Sequence, residues 1–231
     1  MGQGRSRIAA DDLKMGDDLK YLYENRFSGS EEYRRKVWNV LVANWFSRYI
    51  PSNAAVLDLG CGYGEFINQV ASPKRFAMDL NPNSKRFLQS EVRMFEQDCS
   101  SRWPLADNTL DMVFTSNFFE HLPSKAGLEA TLKEAWRCLR PGGRIVALGP
   151  NIKYLLGAYW DFWDHYLPLT EISMAEGFEL AGFTIEQNVP RFLPYNMSNA
   201  PRYPLFFVRA YLKLPFLWPI FGHQFLVVGK K

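Results

Sequence analysis

Eleven residues limit the possible folds more than any others in this chain: Val56-Leu57-Asp58-Leu59-Gly60-Cys61-Gly62-Tyr63-Gly64-Glu65-Phe66. An apolar run from Ala54 to Leu59 reads as a parallel strand buried on both faces, because such strands lose the polar alternation of a half-exposed one. The glycines that follow let backbone N–H groups approach a ligand closely, and a helix is expected after them. Strand, glycine turn and helix together form a nucleotide-binding turn.

The glycine spacing narrows the ligand. Dinucleotide folds carry G-x-G-x-x-G, where the third glycine allows the helix to pack against the sheet. Here Gly60, Gly62 and Gly64 follow Asp58 as D-x-G-x-G-x-G. A second strand is expected over Lys74–Asp79, ending in an acid whose two carboxylate oxygens can take both hydroxyls of a ribose.

These two motifs resemble those of the class I S-adenosylmethionine-dependent methyltransferases, over about residues 20 to 190. The resemblance implies an α/β, Rossmann-like sheet of seven strands, mostly parallel with an antiparallel last strand and helices on both faces. It implies S-adenosylmethionine as cofactor, with Asp58, Gly60, Cys61 and Gly62 at its methionine end and Asp79 and Leu80 at its ribose. A third strand, Val92 to Gln97, delivers Asp98 and Cys99, which by resemblance meet the adenine. The bland alternative for Asp98 is a cap or loop turn. Trp103 to Leu122 resembles the family's fourth-strand region, with a strand over Met112–Thr115 bringing Ser116 and Asn117 to the carboxyl end where ligands bind. Asn117-Phe118-Phe119-Glu120 is not the Asn-Pro-Pro-Tyr type of block that holds a planar amine, which counts against N-methylation.

The chain has 231 residues and is 47% hydrophobic, enough for one sizeable core. Its net charge of +3 is spread along the sequence, so no nucleic-acid footprint is expected. Cys61, Cys99 and Cys138 form no C-x-x-C pair, which suits reduced thiols and a cytoplasmic setting. No run is apolar and long enough to span a bilayer. Residues 1–30 are expected to be a tail and lid, with Tyr23 and Arg26 as candidates to fold over the cofactor, Arg26 as a fork for its carboxylate. Residues 31–231 are expected to form the catalytic domain.

Within that domain apolar spacing predicts a helix from Glu31 to Ile50, with Ser30 as N-cap and Pro51 as its stop. A polar helix is expected after Asn81-Pro82-Asn83. A helix through Leu128–Leu139 ends at Arg140-Pro141-Gly142-Gly143, before a fifth strand over Arg144–Leu148. Thr170 caps a helix through Leu180 that Gly182 closes, Phe183–Val189 alternates as a half-buried strand, and Gln224–Gly229 is the last strand.

Between strand five and Thr170 the sequence is aromatic, from Tyr154 to Tyr166, and reads as the substrate mouth. His165 is the candidate general base, with Asp161 or Asp164 to orient its ring. Glu120-His121 invites a metal reading, because some relatives bind a divalent ion with Glu-x-x-Glu-His. Asn117 stands at the first of those positions, so Glu120, His121 and His165 make an incomplete set; no metal is expected, and Glu120-His121 is expected to open a helix. Between the last two strands, residues 190–222 form an insertion in which Leu205–Leu214 reads as a helix with Arg202, Arg209 and Lys213 near one face. It packs over the pocket, meets a dimer mate or lies in a membrane interface through 202–221. The oligomeric state stays open.

The expected acceptor is a small or lipid-linked molecule methylated on oxygen, a weaker resemblance to bacterial sugar and polysaccharide methyltransferases pointing to a saccharide or glycolipid. Carbon methylation of a quinone-like or polyketide-like ring and a non-catalytic cofactor-binding regulatory protein are the alternatives.

Overall fold

The computed structural model describes residues 31–195 and 202–231. Seven strands form one sheet: β1 Ala55–Leu59, β2 Lys74–Asp79, β3 Val92–Glu96, β4 Leu110–Ser116, β5 Leu139–Pro150, β6 Thr184–Leu193 and β7 Gln224–Lys230. Their order is β3-β2-β1-β4-β5-β7-β6. Strands β1 to β5 pair in parallel, while β7 runs antiparallel between β5 and β6. The order reverses between β1 and β4, so the crevice for a ligand opens at the carboxyl ends of those two strands.

Two apolar layers sandwich the sheet. One collects Leu57, Leu59, Val113 and Ile145 beneath α2 (Lys125–Cys138) and α4 (Glu171–Leu180). The other sets Val56, Phe114 and Val146 against α1 (Glu31–Asn44) and the helix of the insertion. Every residue of β1 is buried, Asp58 among them, as befits a central parallel strand; β6, at the edge, alternates. α4 starts with a capping box in which Thr170 and Ser173 satisfy each other's backbone N–H groups, and Gly182 follows at φ +98°.

Several elements differ from the sequence reading. α1 stops at Asn44 and continues as a 3-10 turn, Phe46–Tyr49, which drives Phe46 fully into the core. Ser30 lies outside the described residues. The helix expected after the glycine turn is a single 3-10 turn, Ile67–Gln69. Too little chain separates Gly64 from β2 for a longer one, and Phe66, Ile67 and Val70 are all buried as the chain turns back. The polar segment after Asn81 is likewise a 3-10 helix, Pro82–Phe87, its start capped by the Asn81 side chain accepting from Asn83 N at 3.0 Å. β5 begins at Leu139, with the Arg140–Gly143 stretch bulging out of register between the Leu110 and Met112 pairings.

The insertion carries α5 (Leu205–Lys213) and α6 (Trp218–Phe221), with α3 (Ile152–Leu155) lying earlier, after β5. Trp218 stacks edge-on against Trp45 and Phe192, each at 5.0 Å, and Tyr211 Oη donates to Phe192 O at 2.7 Å. Leu193 and Pro150 both pair with Gln224, so the insertion leaves and rejoins the sheet at the end where β5 finishes.

Candidate active site

The turn after β1 is built from amides that would otherwise be orphaned. Gly60 and Cys61 N donate to Met78 O at 2.9 and 3.2 Å, which ties the turn to the end of β2. Gly60 has φ +67°, and a Cβ there would come within 2.2 Å of the Phe118 ring. The position therefore needs glycine twice over, for its backbone and for the ring above it. Phe118 follows β4 directly, behind Asn117 at φ 50°, so the ends of β1 and β4 touch. Sequence reasoning did not find this contact, because nothing in the spacing places residue 118 over residue 60.

Asp58 and Asp79 meet behind this turn. Asp58 is 4% exposed, and burial pushes its carboxyl up to about 8, with Asp79 adding to the rise and the Ile67 N–H opposing it. Asp79 accepts from Gly62 N and Asn81 N, both at 2.8 Å. Burial raises it too, against those backbone bonds and the nearby His121. Among the described residues neither carboxyl forms an ion pair with Lys or Arg. Such a pair favours a cationic ligand, which would let both carboxylates ionise.

A pH prediction follows from Asp58. Its native proton is held above the unfolded value of 3.8, so between about pH 4 and 8 the native state binds the extra proton and stability falls as pH rises. Asp58→Asn removes that cost. The variant should gain melting temperature relative to wild type as pH goes from about 5 to about 8; parallel melting curves across that window would show that Asp58 is not protonated in the fold.

The other expected cofactor residues are placed as follows. Cys61 and Cys99 are buried, and Leu80 is partly exposed. Cys99 O accepts from Trp103 Nε1 at 2.8 Å and its thiol takes the Thr131 hydroxyl at 3.2 Å. Asp98 is exposed, and its carboxylate accepts from Ser100 N at 2.8 Å, closing a loop turn. Asn117 Nδ2 donates to Ser116 Oγ at 3.1 Å, and Asn117 Oδ1 is buried with no hydrogen-bond partner. Tyr23 and Arg26 lie outside the described residues.

A second group lies beside the first. His165 is buried, its ring stacked on Phe162 and near Tyr159 and His121, with centroids 4.9, 4.6 and 4.9 Å away. Asp161 is exposed. Asp164, expected to orient His165, holds the neighbouring ring instead: His121 Nδ1 lies 2.8 Å from Asp164 O and 3.2 Å from its carboxylate. Glu120 and His121 sit on a 3-10 turn, Phe119–His121, rather than opening a helix; α2 starts later, capped by Ser124. Glu120 O accepts from Tyr166 and Leu167 N at 2.8 and 3.1 Å, which fastens the aromatic segment to the end of β4. The Glu120 carboxyl is 2% exposed and rises to about 7 through burial, opposed by His121. Ligand atoms of Glu120, His121 and His165 lie within 4.8 Å of one another. Trp160, Trp163 and Tyr166 of the same segment face outward.

Comparison with known proteins gives these two groups a context. Residues 57–147 match the model of a methyltransferase domain. The chain is 31% identical over 114 residues to a demethylmenaquinone methyltransferase of Lactiplantibacillus plantarum, covering 43% of this chain and 46% of that one. It is 29% identical over 130 residues to a malonyl-[acyl-carrier protein] O-methyltransferase of Methylococcus capsulatus, covering 52% and 45%. The chain thus spans about half the length of the curated relatives it matches, from 45% to 62%. Among solved structures it resembles an S-adenosylmethionine-dependent methyltransferase from Archaeoglobus fulgidus, with TM-score 0.66, 20% identity and 92% and 99% of the two chains covered. A Haloferax volcanii methyltransferase solved with the Trm112 methyltransferase activator matches at TM-score 0.66 and 18% identity over 93% and 96%. At these identities the structural likenesses establish the fold alone.

Proposed function

We propose that this chain, whose residues 57–147 match a methyltransferase domain, is a class I S-adenosylmethionine-dependent methyltransferase that transfers the cofactor's methyl group to an oxygen of a small or saccharide-like, lipid-linked acceptor. The observation that carries this reading is the adjacency of the two groups: the Phe118 ring lies against Gly60, and Glu120 and His121 follow on the next turn, with side-chain atoms of Glu120, His121 and His165 within 4.8 Å of one another.

The buried pair Asp58 and Asp79 suits the sulfonium and ammonium charges of the cofactor, and Asp79 has lone pairs left for ribose hydroxyls. When bound, S-adenosylmethionine would supply a sulfonium methyl group for in-line displacement by the acceptor oxygen, the C–S pair staying on sulfur, and His165 would take the acceptor's hydroxyl proton. Burial around the rings aligns the reactants and keeps water out.

Carbon methylation of a quinone-like ring is the second reading, favoured by the demethylmenaquinone methyltransferase among the relatives. Mass spectrometry of products from cell extract fed with methyl-labelled cofactor tests both. A labelled methyl ether or ester supports the oxygen reading, and labelling that persists when the acceptor hydroxyl is blocked supports the carbon one.

The lipid-linked part of the reading rests on the insertion. Tyr203, Phe206, Phe207 and Phe216 are exposed beside Arg209 and Lys213, and no Asp or Glu occurs from residue 187 to 231. No described helix is long and apolar enough to cross a membrane. An aromatic and basic surface of this kind binds the interface of an anionic bilayer. Arg209→Glu with Lys213→Glu should therefore reduce sedimentation with phosphatidylglycerol vesicles, while neutral vesicles bind both forms weakly. Equal sedimentation of wild type and variant would leave the insertion a packing role.

A further inference from the structure

The segment between β5 and α4 turns its apolar side chains in two directions. Tyr159 is fully buried and its hydroxyl donates to Leu167 O, Phe162 stacks on the buried His165 at 4.9 Å, and Glu120 O takes the N–H groups of Tyr166 and Leu167. The segment is thus fastened from within. Trp160 and Trp163 nevertheless point outward, Trp163 with 87% of its surface exposed. Leu156, ahead of them, is 82% exposed and sits at φ 49°, ψ −124°. That is the backbone of the first central residue of a type II′ turn, a place that suits glycine, and Gly157 stands one residue too late to fill it. Strain that holds an apolar side chain in water, beside two outward indoles, marks a surface that something covers.

This surface joins the insertion. Asn151 donates from its backbone to His223 O and from its side chain to Pro190 O, both at 2.9 Å, so the segment begins where the insertion leaves and rejoins the sheet. Arg191 ties the two together, its guanidinium over the Tyr154 ring at 4.7 Å and donating to Ile220 O and Gly222 O at 3.0 and 2.7 Å. Ile220 and Phe221 are exposed at that join. Asp161 is the one exposed acid between residues 150 and 170, and no acid follows Glu186 in the sequence. A second copy of the chain would bring an equally positive face against this one, whereas an anionic bilayer complements it. Indole rings suit that layer, having an apolar body and a polar N–H.

We propose that Leu156, Trp160 and Trp163 enter the headgroup layer of an anionic bilayer together with the insertion, so that the acceptor reaches His165 from the leaflet. The substrate class is then an amphiphile whose tail stays in the lipid while its hydroxyl-bearing head enters the site. Phe162, which stacks on His165, lies in the chain between the two tryptophans, so the lipid-facing surface and the site share one short segment. This inference rests on the lipid-linked reading of the acceptor and gives it a route.

The test is tryptophan fluorescence of the full chain mixed with phosphatidylglycerol vesicles whose acyl chains carry bromine near the headgroup end, compared with the same vesicles lacking bromine. Bromine quenches indoles at its own depth. Wild-type emission should therefore fall on the brominated vesicles, and Trp160→Phe with Trp163→Phe should remove most of that fall while still sedimenting with the lipid. Trp160→Asp with Trp163→Asp should weaken vesicle binding at least about tenfold. Should that variant fail to fold by circular dichroism, Leu156→Gly replaces it: glycine suits the backbone there, so the protein should melt no lower than wild type and still bind vesicles more weakly. Sedimentation without quenching, or quenching kept by the double phenylalanine variant, would overturn the inserted segment and leave the lipid binding of the insertion standing. No sedimentation would overturn both, and light scattering that shows a dimer lost in the aspartate variant would give the face to a second copy and overturn the proposal. Quenching as expected, with a labelled product that stays wholly in water, would keep the inserted surface and reject the lipid-linked acceptor together with its route.

Discussion

Replacing Asp79 with alanine is expected to weaken S-adenosylmethionine binding by several-fold to about a hundredfold, on the order of 1–3 kcal/mol for lost charge-assisted hydrogen bonds. Each of its oxygens already accepts one backbone N–H at 2.8 Å, from Gly62 and from Asn81, and has a further lone pair to offer a ribose hydroxyl. The same bonds hold the glycine turn against the end of β2, so the alanine variant loses both the contact and part of the turn's preorganisation. Asp79→Asn separates the two. It keeps one acceptor oxygen and removes the charge, so it should fall between wild type and alanine. Calorimetry with the cofactor measures all three, and equal affinity across the series would remove Asp79 from the site.

Much of the sheet is legible in the sequence because buried parallel strands have few ways to be written. Ala54 to Leu59 stands out as an apolar run and Lys74 to Asp79 as a strand that ends in an acid, and they appear as β1 and β2 with at most a residue's difference. The antiparallel last strand came from the family resemblance, and β7 lies between β5 and β6. Helical spacing was less dependable. Trp45, Phe46 and Tyr49 keep the period of α1, yet their segment tightens into a 3-10 turn, because the demand to bury Phe46 outweighs the weak preference for continuing a helix. Phe66, Ile67 and Val70 are also compatible with a helix face, but the chain must return to the sheet within a few residues, which periodicity does not register.

The candidate site shows the same division. Strand ends fix where Asp58 and Asp79 emerge, so their neighbourhood follows from the strand pattern. Side-chain direction does not: Asp98 also follows a strand, yet it is exposed and its carboxylate closes its own loop through Ser100. Nor does sequence order show which histidine Asp164 holds. His121 lies far back in the chain and reaches Asp164 because Glu120 O ties the turn after β4 to Tyr166 and Leu167. That backbone link is a tertiary event with no local signature.

Replacing His165 with alanine should lower turnover by about 10²–10⁴-fold, the span of a positioned acid–base group, while cofactor affinity stays within about twofold. The ring is held among Phe162, Tyr159 and His121, which limits its rotation and keeps bulk water from its surface. A ring so placed can remove a proton from an acceptor hydroxyl, a role that glutamine cannot take, so His165→Gln should be as slow as His165→Ala. Calorimetry with the cofactor on the same samples separates a base from a packing residue, since a misfolded pocket would lose affinity as well as rate. Equal turnover for wild type and variant would exclude the base role and confine His165 to packing.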